Sequence, residues 1–104
     1  MAAQPTAQPP VTPRVSEILR EAAQTFQDRN AIYGNNYRMV APMVRILFPN
    51  GVPQHVIGSH RWHLFELMLV KMSRFAISDL THQDSIRDLT VYAAMVESLL
   101  KEDV

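Results

Sequence analysis

The run from His60 to Ile77 limits the fold more than any other part of this chain. Its apolar side chains, Trp62, Leu64, Phe65, Leu67, Met68, Leu69, Val70, Met72, Phe75, Ala76 and Ile77, cover nearly every angle of a helix. Such a helix belongs in the middle of a bundle or in a subunit interface. Two cations, Lys71 and Arg74, interrupt it, and Asp84, Asp88 and Tyr92 follow one loop later. Charges in an apolar setting need partners, because burying an unpaired ion is costly.

Three further helices are expected around this one. The first begins with Thr12 as N-cap and Pro13 at the first helical position, and runs to about Ala31. Its stripe is Val15, Ile18, Leu19, Ala22 and Phe26; Arg29 and Tyr33 continue that line, and Gly34 ends it. Asn35 and Asn36 read as turn and cap for a second helix reaching about Leu47, with Pro42 causing a bend or a late start. Phe48-Pro49-Asn50-Gly51-Val52-Pro53 then breaks the chain as a connector. Ser59 caps the His60–Ile77 helix. Thr81, with Asp84 three residues on, reads as a capping box for a final helix to about Lys101, with Ile86, Leu89, Ala93, Val96 and Leu100 as its core stripe. The expectation is an all-α, four-helix bundle-like domain over residues 13–104, preceded by a disordered Pro-rich tail over residues 1–12.

Composition narrows the function. Lys and Arg balance Asp and Glu at ten each, and no basic run marks a surface for extended nucleic acid. The chain has no cysteine, which removes disulfides, thiolate metal sites and thiol nucleophiles and fits a reducing compartment, so a cytoplasmic location is expected. Leu64 to Val70 is too short to cross a bilayer, and no membrane association is expected. The three glycines are dispersed, with no phosphate-loop pattern, and no serine sits in a nucleophile elbow. The apolar circumference of the His60–Ile77 helix points to a homo-oligomer.

A hairpin of the last two helices would bring the Lys71/Arg74 face near the Asp84, Asp88 and Tyr92 line. Three chemistries suit that cluster. The cations and carboxylates can satisfy one another as structural ion pairs. Asp84 and Asp88 can hold Mg²⁺ while Lys71, Arg74 and Arg29 grip phosphates, since hard cations prefer oxygen ligands. The cations can also bind a nucleotide without metal or turnover, with Tyr33 or Tyr92 contacting the base. Arg29 beside the Tyr33-Gly34 turn suits an anion, because its planar fork matches phosphate or carboxylate and glycine permits close backbone approach. His60 and His63 near Glu66 have metal-like spacing but lack convergent partners.

The motifs Ile18-Leu19-x-Glu21-Ala22, Arg29-x3-Tyr33-Gly34, Lys71-x2-Arg74 and Asp84-Ser85-x2-Asp88-x3-Tyr92-Ala93 follow in order. With this spacing the chain resembles an uncharacterised family of small phage and prophage proteins related to nucleotide-modification-associated helical domains. The resemblance spans about residues 15 to 100. It implies a phage-type all-α nucleotide-binding protein of nucleotide metabolism, with Arg29, Tyr33, Lys71, Arg74, Asp84 and Asp88 as the positions carried over. A looser similarity is to all-α nucleoside triphosphate pyrophosphohydrolases, which would imply an enzyme acting on nucleotides around Mg²⁺. The chain departs from them in lacking the paired-glutamate motif, offering only Glu17 and Glu21 at spacing four and an isolated Glu66. A ligand-free oligomeric module acting on a host factor is the remaining alternative.

Overall fold

A computed structural model describes residues 14–102 of the chain. It is all-α: five α-helices and one 3-10 helix, with no strand among the described residues. The helices are α1 (Val15–Tyr33), α2 (Val40–Leu47), α3 (Gln54–Ile57), α4 (His60–Ile77) and α5 (Gln83–Glu102), with the 3-10 turn Asn36–Arg38 between α1 and α2. The expected tail, with the Thr12 cap and Pro13, lies outside the described residues.

The chain divides into two units between Ala31 and Ile32, and α1 crosses that division. Within the first unit α1 is a lone amphipathic helix whose stripe, Val15, Ile18, Leu19 and Phe26, is exposed. A single helix has nothing in its own unit against which to bury such a stripe. The helix extends to Tyr33, two residues beyond the expected end, and Gly34 follows at φ +59°. That left-handed residue is the stop signal the sequence offered, since glycine adopts it without a Cβ penalty.

In the second unit, α4 and α5 form an extensive antiparallel hairpin, against which α2, α3 and the 3-10 turn pack on α4. The second expected helix is split. Asn35 makes no side-chain capping bond, and Asn36 instead donates from Nδ2 to Ser73 Oγ across on α4, at 3.2 Å. The chain turns through 36–38 before α2 starts, which leaves Pro42 in the first turn of α2, where its missing N–H breaks no hydrogen bond. The connector after Phe48 contains one unexpected turn of helix, α3, entered from Pro53. Ser59 caps α4 as expected, its Oγ accepting from Trp62 N at 3.1 Å.

The turn from α4 to α5 fixes the site. Leu80 N donates to Phe75 O and Asp79 N to Ala76 O, the paired bonds of a Schellman termination. Asp79 occupies the left-handed position usually given to glycine, at φ 56°, and Leu80 follows at φ 65°. The Thr81/Asp84 capping box does not form. Thr81 Oγ1 donates to Ser78 O at 2.6 Å, so its hydroxyl is spent on the turn, and His82 Nδ1 lies 2.6 Å from Ser85 Oγ instead.

Among the described residues Leu69 is the one fully buried apolar side chain, joined by Ser73 and Ser85. The seam of α5 also differs from the expected stripe. Ile86, Ala93 and Leu100 are exposed, whereas Ser85 is buried and Asp88, Leu89, Tyr92, Val96 and Leu99 are half-buried. The helix is thus rolled toward its polar line. A small buried serine permits close helix approach there, and Asp88 finds a cation on α4. No described helix is long and apolar enough to cross a membrane.

Candidate functional site

Lys71 and Arg74 are three residues apart on α4 and diverge. Lys71 Nζ reaches Asp88 Oδ2 at 2.8 Å; its side chain is 16% exposed and that of Asp88 is 44% exposed. The Lys71 ammonium bonded to it holds the Asp88 carboxyl below the usual carboxylate range. Partial desolvation opposes that shift, while Arg74 and His82 add to it as nearby positive charge.

Arg74 takes a different partner. Its guanidinium lies over the ring of Tyr33, 4.5 Å from the centroid, and the edge of the same ring meets His82 at 5.7 Å. Arg74 Nε is buried without a hydrogen-bond partner, and no carboxylate among the described residues pairs with this cation. A ring face attracts a cation without satisfying its N–H groups. Arg74 is therefore held and incompletely neutralised.

The other expected site residues separate. Gly34 shapes the turn beside Tyr33. Its α-carbon would have room for a methyl group, the nearest atoms being Ile77 Cδ1 and Cγ2 at 3.8 and 3.9 Å, so φ rather than space demands glycine. Tyr92 is half-buried along the α5 seam, one turn beyond Asp88. Arg29 belongs to the first unit and is exposed. Asp84 is exposed and forms no ion pair among the described residues. Each four-residue step along a helix turns the side chain by about 40°, so the 84, 88, 92 line winds, and its first member is exposed. The donor set expected for Mg²⁺ thus supplies one carboxylate, already engaged by Lys71, rather than a convergent pair. No group of three or more His, Asp or Glu suited to a metal occurs among the described residues.

The sequence did not anticipate the contacts of His82 with Ser85 or of Asn36, read as a turn and cap, with Ser73. The spacing of three between His82 and Ser85 is the local signal that marks the first. Asn36 and Ser73 are far apart in sequence, and no local pattern links them.

Two cavities flank α4. One, of about 500 Å³, lies between α4 and the 36–40 segment; Asn36, Val40, His63, Glu66, Val70 and Arg74 are among its walls. The other, of about 590 Å³, is lined by Phe48, Trp62, Phe65, Met68, Ala93 and Val96. Its aromatic wall is a packed triad: Phe48 stands edge-on to Trp62 and Phe65, which stack on each other at 5.8 Å. No protein family, curated protein or solved structure matches the chain.

Proposed function

We propose that this chain binds a phosphorylated small molecule of the nucleotide class, with Arg74 as the principal anion contact. The half-buried Arg74 guanidinium, fixed over Tyr33 with Nε unpartnered and no carboxylate in ion-pair contact among the described residues, carries this reading. An incompletely compensated cation beside a cavity is stabilised by an incoming anion, and a guanidinium fork matches phosphate oxygens. Lys71, engaged by Asp88, does not line the cavity beside Arg74. The proposal requires no metal.

A thermal-shift panel of nucleoside mono-, di- and triphosphates, with and without Mg²⁺, tests it. Ligand at a hundredfold excess over its dissociation constant adds about 2.7 kcal/mol to the folded state. Stabilisation by nucleotides, lost in Arg74→Met, is expected; indifference of the wild-type protein to every nucleotide overturns the proposal. Product formation in the same incubations would turn the binder into an enzyme.

A second reading concerns assembly. Leu69 is the sole fully buried apolar side chain among the described residues, while Met72, Ile86, Val91, Met95 and Leu100 are each more than 40% exposed. We propose that a second copy covers part of this surface, making the protein a homo-oligomer, because so small a core stabilises a chain of this length poorly. Light scattering across a dilution series checks this, and a monomeric mass at all concentrations refutes it.

A further inference from the structure

We infer that the cavity of about 500 Å³ beside Arg74 is the ring-binding half of the nucleotide site, and that Glu66 makes it selective for a guanine-type base. This inference rests on the proposed nucleotide binding at Arg74. Glu66 and Arg74 both line the cavity from α4 and stand eight residues apart, about 12 Å along the helix axis. That span suits a nucleoside monophosphate laid along the helix, phosphate at Arg74 and base edge at Glu66. Val70 and Val40 provide an apolar wall between the two ends, against which a flat ring and sugar can rest.

Glu66 shares its end of the cavity with His63, three residues earlier on α4. Glu66 is half-buried and has no ion-pair partner among the described residues, and a carboxylate accepts hydrogen bonds through two oxygens. Asn36, bonded through Nδ2 to Ser73 Oγ, sits at the Arg74 end instead. A carboxylate fork at the Glu66 end calls for paired donors on the ligand. Guanine presents two adjacent N–H donors, at N1 and the 2-amino group, aligned like the fork of a carboxylate. Adenine presents one amino donor beside the N1 lone pair, which would face a carboxylate oxygen and repel it.

Calorimetric titration of the full chain with GMP, IMP and AMP tests the inference. GMP is expected to bind at least about tenfold more tightly than AMP, with IMP, which keeps N1–H but lacks the 2-amino group, in between. Glu66→Gln should bring GMP and AMP within about threefold of each other while phosphate-dependent binding persists, with helicity by circular dichroism confirming the fold. Equal affinity for the three nucleotides in the wild-type chain, or an undiminished GMP preference in Glu66→Gln, overturns the base assignment. If all three bind equally and Arg74→Met abolishes them, the base assignment falls and nucleotide binding stands. If none binds, both fall.

Discussion

Lys71 on α4 and Asp88 on α5 close the helical hairpin with an ion pair of 2.8 Å, and three positive groups, Lys71, Arg74 and His82, act on that one carboxylate. The pair lies one turn from Ser85, the fully buried residue of α5. Arg74, which acts on the same carboxylate at longer range, has the Tyr33 ring as its direct support. One ion pair thus links the two helices, while the neighbouring cation keeps an Nε without a hydrogen-bond partner.

Because Lys71 lowers its folded-state pKa, Asp88 contributes stability that is present above its unfolded-state pKa and lost as pH falls through the lower folded value. Asp88→Asn should therefore melt below wild type at neutral pH. The gap should close on acidification below the ordinary carboxylate range. Melting curves from about pH 7 to about pH 2.5 measure it, and a gap that widens in acid would contradict the assigned role.

Asp79 sits in the left-handed C′ position of the α4 termination. Asp79→Gly relieves that strain, offset in part by the greater freedom of glycine in the unfolded chain, and should raise stability by about 0.5–1 kcal/mol. A shifted denaturation midpoint with an unchanged slope is the expected signature.

Leu69→Ala should cost about 2–5 kcal/mol, since it empties the one fully buried apolar position among the described residues. Ile86→Ala, on the exposed side of α5, should cost under about 0.5 kcal/mol in a dilute monomer. If a second copy covers that side, the Ile86→Ala penalty will grow with protein concentration.

Tyr33→Leu removes the ring beneath Arg74 and should weaken nucleotide binding with a stability loss of about 0.5–2 kcal/mol. Tyr33→Phe retains the ring and should behave nearly as wild type. Equal damage from both substitutions would assign Tyr33 a role for its hydroxyl rather than its face.

The sequence by itself determined the three long helices, α1, α4 and α5, because their signals are local: the all-round apolar run of α4, the Ser59 cap, the glycine after Tyr33 and the dense three-four periodicity of α5. It also placed Lys71 and Asp88 in facing helices. Tertiary structure decided which neighbours each charged group met. The roll of α5 about its axis selected Asp88 over Asp84, a rotation that a periodic stripe cannot fix when a polar line runs beside it. Bonds between residues distant in sequence, Asn36 with Ser73 and Arg74 with Tyr33, depend on how the elements stack, and local propensity carries no record of that packing.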